Sequence, residues 1–148
     1  MKLTNTKKGS VMEQLQFLPT KVHGLLDYIV GVALFVAPWL FNFTSVGGAS
    51  VWVPRVLGVI LVVYSIFTDY EWGVVKVIGM YYHLAIDMAA SIFLALSPWI
   101  FGFSDEKNAA WLPHVIVGVA VILVVLVTQP YPGYAKKGAK HAVKAVKD

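Results

Sequence analysis

Cysteine is absent from this chain of 148 residues, which excludes disulfide bridges, thiolate metal sites and cysteine nucleophiles. Charged residues are scarce, at 14% of the chain compared with about 25% in soluble domains. Hydrophobic residues make up 58% of the chain, and the mean hydropathy is +0.71. So few polar side chains cannot cover the surface of a soluble domain, and the composition therefore indicates a membrane protein.

Motifs of catalysis are missing as well. The sequence has no glycine-rich phosphate loop and no nucleophile elbow, and we expect no enzyme activity. The isoelectric point near 9.3 does not indicate nucleic-acid binding, because the lysines cluster beside apolar segments. Residues 1–21 carry several charges and only a short apolar stretch, unlike a cleavable signal peptide. We predict a cytosolic leader there.

The hydrophobic part of the sequence contains an internal repeat of two copies. The first copy contains His23, Asp27, Pro38, Trp39, Phe41 and Phe43, and the second contains, 60 positions later, His83, Asp87, Pro98, Trp99, Phe101 and Phe103. A second apolar run that opens with Trp-x-Pro follows each copy. We interpret the chain as a tandem duplication of a two-helix unit, and we expect its function to depend on a pair of matched positions.

Four apolar segments are long enough to cross a membrane, and they cover residues 22–43, 52–68, 82–103 and 111–128. A bilayer core about 30 Å thick needs roughly 20 apolar residues, with about 17 as the short limit. We predict an all-α membrane protein with four transmembrane helices, arranged as two tandem parallel-repeat hairpins. The predicted units are hairpins at 22–68 and 82–128, a cytosolic loop at 69–81 and a basic cytosolic tail at 129–148.

Positive charge is distributed unevenly between the two sides of these predicted spans. Ten of the 12 Lys and Arg residues lie on the side that holds both termini and the middle loop. The positive-inside rule therefore places both termini in the cytoplasm, and we expect the basic tail to bind anionic lipids. The aromatic residues predict two interfacial belts, an outer one at Trp39, Trp52, Trp99 and Trp111 and an inner one at Tyr70, Trp72, Tyr81 and Tyr82.

A short motif marks each copy and suggests a family. Ser97-Pro98-Trp99 and its variant Ala37-Pro38-Trp39 each follow a His-x-x-x-Asp and precede a Trp-x-Pro. Over roughly residues 21–129 the chain resembles the SPW-repeat family of small integral membrane proteins. The resemblance implies a multi-pass protein of the cytoplasmic (inner) membrane of a bacterium or archaeon, and no particular activity. The copies differ where Asn42 stands in the first and Gly102 in the second.

The two His–Asp pairs are the strongest candidates for chemistry. A spacing of four residues places His23 and Asp27 on one helix face, and likewise His83 and Asp87. Ionisable residues inside a span usually face the bundle interior and find a partner, so we expect the four side chains to converge. Three interpretations stay open: a structural hydrogen-bonded cluster, a site that handles protons or ions, and a divalent metal or haem bound at His23 and His83.

The prolines of the two motifs fall late in long predicted helices. Pro38 and Pro98 each remove one backbone hydrogen bond and are expected to kink the helix. Ser97 Oγ can satisfy the freed carbonyl, whereas the alanine of the first copy cannot. We expect Trp39 and Trp99 to anchor the kinked ends in the outer belt.

Two further positions follow the prolines of the Trp-x-Pro motifs. Arg55 and His114 come directly after Pro54 and Pro113, which we place in the first turn of their helices. As matched residues, Arg55 and His114 are expected to be outer-face cations that reach the headgroups. Packing residues are expected at Gly24, Gly31, Gly58 and Gly118.

These observations favour a structural or accessory subunit, without a bound cofactor, that self-associates or joins a larger membrane complex. The alternative is a small proton, ion or solute transporter that uses the intramembrane His–Asp pairs. A third hypothesis is a haem- or metal-binding redox membrane protein.

Overall fold

The computed structural model describes residue 11, residues 15–106 and residues 109–135, and most of this part of the chain is helical. Its long helices are α1 (Thr20–Leu40), α2 (Gly48–Ile66), α3 (Met80–Ile100) and α4 (Trp111–Val127). Most of the predicted leader at 1–21 and of the predicted tail at 129–148 lies outside the described residues. The described helices match the predicted apolar segments, except that α2 begins four residues before the predicted start at residue 52.

Three of these helices, α1, α2 and α3, are long and apolar enough to cross a membrane by length and composition. The fourth, α4, is a shorter apolar helix of 17 residues. The helices bury polar residues such as Ser97 and His114 and expose large apolar ones such as Val32 and Leu123. Helices surrounded by lipid show this inverted pattern, because lipid chains solvate apolar side chains as well as a protein core does. The chain is a helical membrane protein.

Close backbone contacts join α1 to α2 and α3 to α4, and α2 also packs against α3. A Cβ atom on Gly58 would lie 2.4 Å from the carbonyl oxygen of Gly31. At the matched position on α4, a Cβ atom on Gly118 would lie 2.7 Å from the carbonyl oxygen of Ser91. Small residues permit such contact between membrane helices, so the packing role predicted for Gly58 and Gly118 is confirmed.

The motif helices α1 and α3 end with the same backbone arrangement. Asn42 and Gly102 adopt φ values of 55° and 70°, a left-handed conformation that glycine and asparagine tolerate better than other residues. The next residue then donates back into the helix, with Phe43 N 2.9 Å from Pro38 O and Phe103 N 2.8 Å from Pro98 O. A bond of this kind, from the second residue after the helix cap to the last turn, is characteristic of a Schellman motif. The difference between the copies at residues 42 and 102 is therefore conservative in backbone terms.

Ser97 supports the helix around Pro98 as its sequence position indicated. Pro98 has no N–H to donate to Leu94 O, and Ser97 Oγ donates to that oxygen at 2.7 Å. Ala37 has no hydroxyl for the same bond in α1. The phenylalanines that follow the two motifs, Phe43 and Phe103, are buried together in one apolar cluster.

Of the two prolines in the Trp-x-Pro motifs, Pro54 differs from the prediction and Pro113 agrees with it. Helix α2 begins at Gly48, after Gly47 with φ 71°, so Pro54 lies in its second turn and not in its first. Pro113 is the third residue of α4. Within the first turn of α2, Ser50 Oγ donates to Gly47 O at 2.7 Å.

Two short parallel β contacts lie next to the helices, where the sequence predicted none. Strand β1 (Thr68–Asp69) pairs with β2 (Ile78–Gly79), with Thr68 opposite Ile78. An isolated parallel bridge joins Leu18 to Thr128. Leu18 and Thr128 lie 60 positions from Ile78 and Thr68. The residues that follow α2 therefore pair with those before α3, and the residues that follow α4 pair with those before α1.

The loop after β1 is tied to both ends of the described chain by Glu71. Thr20 Oγ1 donates to Glu71 Oε2 at 2.6 Å, and the N–H of Gly133 donates to Glu71 Oε1 at 3.0 Å. Burial opposes ionisation of Glu71, but these hydrogen bonds outweigh it and hold the pKa of the carboxyl below its ordinary value.

Candidate functional site

The two predicted His–Asp pairs meet in the interior. His23 and Asp27 lie in the first two turns of α1, and His83 and Asp87 lie at the matched positions of α3. All four residues are buried, with exposed fractions between 0% and 6%. One ligand atom from each lies within 4.8 Å of the others. The structure thus places these four residues in one cluster, which we call the His–Asp cluster.

The shortest contact of the His–Asp cluster joins α1 to α3. His23 Nε2 lies 3.0 Å from Asp87 Oδ2, and His83 Nε2 lies 3.1 Å from Asp27 Oδ2. The contacts within each helix are 3.3 Å from His23 Nε2 to Asp27 Oδ1 and 3.1 Å from His83 Nε2 to Asp87 Oδ2. Each imidazole Nε2 therefore faces both carboxylates.

Two buried threonines orient the imidazoles. Thr128 Oγ1 lies 2.9 Å from His23 Nδ1, and Thr68 Oγ1 lies 2.7 Å from His83 Nδ1. Each threonine hydroxyl donates one turn back in the chain, to Val124 O at 2.6 Å and to Tyr64 O at 2.8 Å. Because that proton is already used, each Oγ1 accepts from the imidazole. The network therefore assigns a proton to Nδ1 of both histidines.

These threonines were missed in the sequence analysis. Thr68 and Thr128 lie 60 positions apart, so the repeat itself carried the signal. They stand at the ends of the apolar segments and were counted only as boundaries. The parallel contacts of Thr68 with Ile78 and of Thr128 with Leu18 hold them beside the first turns of α3 and α1.

Tyrosines supply further donors to the carboxylates. Tyr64 Oη donates to Asp87 Oδ1, and Tyr70 Oη lies 3.4 Å from Asp27 Oδ2. Tyr70 is completely buried, so its predicted place in the inner aromatic belt is wrong. The turn after β1 directs the ring inward, where Gly24 leaves space: a Cβ atom there would lie 1.8 Å from the ring. Burial raises the pKa of the Tyr70 hydroxyl, so it stays protonated.

The His–Asp cluster, with its threonines and tyrosines, lies within a region that matches a known family. The family model of the SPW repeat domain matches residues 21–128. The chain belongs to the SPW repeat family. No curated protein and no solved structure matches it. The match confirms the resemblance drawn from the repeated motif, and it assigns no activity to the His–Asp cluster.

The SPW motifs themselves lie at the opposite ends of α1 and α3 from the His–Asp cluster. Trp39 and Trp99 follow Pro38 and Pro98 and are 58% and 57% exposed, as lipid-facing anchors would be. The guanidinium of Arg55 lies 3.9 Å from the ring centroid of Trp39, a cation–π contact that the sequence analysis did not anticipate. These motif residues therefore take no part in the His–Asp cluster.

His114 does not match the prediction. Instead of reaching the headgroups as a cation, it is 1% exposed. Its ring lies 5.8 Å from that of Phe43 and 5.0 Å from that of Phe103, and Nδ1 lies 2.8 Å from Ala110 O. The 60-residue offset matches His114 with the buried Pro54 and not with Arg55. The pattern of buried residues in α2 recurs in α4 at this offset, whereas the Trp-x-Pro motif recurs after 59 residues.

Proposed function

We propose that this SPW repeat protein crosses the cytoplasmic membrane with four helices and binds one divalent transition-metal ion in its His–Asp cluster. Two tandem parallel hairpins are supported by the recurrence of helix ends, glycine contacts and threonine contacts at an offset of 60 residues. Cytoplasmic termini are supported by the distribution of Lys and Arg.

The observation that carries the metal proposal is the orientation of the two imidazoles. Metal-binding histidines usually donate their second ring N–H to a neighbouring acceptor, which fixes the ring and turns the other nitrogen to the metal. Thr68 and Thr128 are such acceptors for His83 and His23. Both Nε2 atoms are thereby left to face the same point as the carboxylates of Asp27 and Asp87.

The separations between donor atoms fit a single ion. Zinc takes four ligands at about 2.0–2.2 Å in tetrahedral geometry, which separates neighbouring ligand atoms by roughly 3.4 Å. The four His–Asp separations in the cluster lie between 3.0 and 3.3 Å. One ligand atom from each of the four residues lies within 4.8 Å of the others, so side-chain adjustment that brings these separations to about 3.4 Å would admit the ion. Imidazole with carboxylate is a donor set that suits zinc, iron and nickel.

Charge supports the same occupant. With protons on Nδ1 alone, both imidazoles are neutral and the two carboxylates leave the buried cluster with a charge of −2. Buried charge must be compensated to be tolerated, and one divalent cation does so completely. A haem is a poorer occupant, because the carboxylates lie beside both Nε2 atoms, where a porphyrin ring would have to pass.

A second candidate is a structural cluster without metal, the role expected of a scaffold or accessory subunit. Two additional protons, one on each Nε2, would convert the cluster into two imidazolium–carboxylate pairs. The specific observation in its favour is that each Nε2 already lies 3.0–3.1 Å from a carboxylate of the other long helix. Such pairs would hold α1 against α3.

Metal content distinguishes the two candidates. We expect wild-type protein, purified in detergent and supplied with Zn²⁺ or Co²⁺, to retain about one equivalent after desalting. A tetrahedral Co²⁺ absorption spectrum would report the geometry. The double variant Asp27→Asn, Asp87→Asn should retain none. His114→Gln is the matched control, because His114 is equally buried but lies outside the cluster, and it should retain the metal.

The opposite result is equally clear. Wild-type protein that retains no metal, together with a double Asn variant that unfolds at the same temperature or higher, would refute metal binding and favour the structural cluster. Asn keeps a hydrogen-bonding oxygen and removes the cost of burying charge, and polar contacts between membrane helices average only about 0.6 kcal/mol.

A further inference from the structure

Position 64, beside the His–Asp cluster, differs between the two copies of the repeat. Tyr64 on α2 and Val124 on α4 lie 60 positions apart, and each supplies the carbonyl that accepts from a cluster threonine. They are therefore structurally matched. The ring of Tyr64 lies 4.8 Å from that of His83, and its hydroxyl donates to Asp87 Oδ1. Val124 can make neither contact with His23 and Asp27.

A cavity lies where a second tyrosine ring would be. It has a volume of about 240 Å³ and lies between α1 and α4. Its polar end is formed by His23, Asp27 and Asp87, and its walls are apolar, with Val124 among them. The corresponding space beside Tyr64 is only about 50 Å³. The smaller residue in the second copy thus coincides with the larger cavity.

The size of the cavity suits a small ring. An apolar protein cavity of about 150 Å³ is known to bind benzene, so 240 Å³ admits a ring with a short substituent. Ile116 lines the cavity and is 57% exposed, which directs the cavity towards the lipid-facing side of α4. An occupant would therefore arrive from the bilayer.

The polar end of the cavity calls for a hydrogen-bond donor. Asp27 Oδ2 lies 3.1 Å from His83 Nε2 and 3.4 Å from Tyr70 Oη. Asp27 Oδ1 has, among the described residues, a contact of 3.3 Å with His23 Nε2, whereas Asp87 Oδ1 accepts from the Tyr64 hydroxyl. A buried carboxylate oxygen gains from an additional donor. The other copy of the repeat shows such a donor: the phenol of Tyr64 lies against the His83 ring and donates to Asp87.

We propose that the cavity between α1 and α4 binds a small lipid-soluble phenol, whose ring lies against His23 and whose hydroxyl donates to Asp27. This inference goes beyond the proposed metal site and does not depend on it, because the corresponding contacts of Tyr64 in the other copy are made by protein groups alone. The phenol occupies on one side of the His–Asp cluster the place that Tyr64 occupies on the other.

Binding of 4-propylphenol to the full-length protein in detergent tests the proposal, measured by calorimetry with metal-free and metal-supplied samples. We expect one site in wild-type protein in both samples, and propylbenzene, which lacks the hydroxyl, should bind at least about tenfold more weakly. Val124→Tyr should fill the cavity and abolish binding. Val119→Tyr is the matched control on the same helix, 45% exposed, and should bind as the wild type does.

The reverse variant provides an independent test. Tyr64→Val should open the matched cavity and raise the stoichiometry from one site to two. Equal affinity for propylbenzene, unchanged binding by a folded Val124→Tyr variant, or a stoichiometry of one in Tyr64→Val would each overturn the proposal. If Val124→Tyr does not fold, the propylbenzene comparison and Tyr64→Val decide the question, and loss of metal binding without loss of phenol binding would refute only the proposed function.

Discussion

The hydroxyl of Thr128 is expected to set the metal affinity of the His–Asp cluster. In Thr128→Val the shape of the side chain is kept, but the acceptor 2.9 Å from His23 Nδ1 is lost. The imidazole is then free to move its proton to Nε2 and donate to Asp87. Metal binding must reverse that change and leave a buried Nδ1–H without a partner, which costs about 1–3 kcal/mol.

At about 1.4 kcal/mol for each factor of ten, this cost corresponds to a weakening of metal binding by roughly 10- to 100-fold, the range typical of such neighbouring groups. Competition for Zn²⁺ with a chromophoric chelator measures it. Thr128→Ser should restore the wild-type affinity. Thr20→Val is the matched control, because Thr20 is buried like Thr128 but donates to Glu71. An affinity in Thr128→Val within about threefold of wild type, or an equal loss in Thr20→Val, would refute the reasoning.

Three other predictions follow from the structure. Gly58→Ala should destabilise the fold by about 1–3 kcal/mol, since its Cβ would lie 2.4 Å from Gly31 O, whereas Gly79→Ala, whose nearest atom is 3.8 Å away, should be close to neutral in thermal unfolding. The lowered pKa of Glu71 means that its ionised form stabilises the fold above the ordinary pKa, and this stability is lost as the pH falls through the folded-state pKa. Wild-type protein should therefore melt at a higher temperature than Glu71→Gln near pH 7, and the difference should shrink as the pH falls to about 3. A difference that stays constant over this range would contradict the argument. Reporter fusions in the loops after α1 and after α2 should read outside and inside, and a C-terminus outside would overturn the predicted orientation.

Much of the helical fold and the composition of the His–Asp cluster could be predicted from the sequence. The apolar segments gave the long helices to within a few residues, and the matched His–Asp pairs identified four side chains that do meet. Hydropathy and repeat spacing carry this information because burial in lipid requires long apolar helices and partners for any buried charge. The arrangement of the spans as parallel hairpins and their orientation stay predictions.

The errors have physical causes. His114 was matched with Arg55 because the Trp-x-Pro motif recurs after 59 positions, whereas burial recurs after 60. One residue rotates a helical position by about 100°, which separates an exposed position from a buried one. Tyr70 was assigned to an interface by residue type, but a tight turn and Gly24 bring its ring into the interior. Interfacial preference is a tendency, and tertiary geometry overrides it.

The pairing of each threonine with a histidine from the other half of the chain has a consequence for how such a protein can change. A half chain would contain one histidine, one aspartate and one threonine of the cluster, yet that histidine would lack both its acceptor and the carboxylate of the other long helix. Two identical halves could meet and satisfy one another, but every substitution would then occur twice. When the halves are joined in one polypeptide, matched positions can be substituted independently of each other. Tyr64 can close one side of the cluster while Val124 leaves the other side open, and a symmetric pair of halves could not divide those tasks.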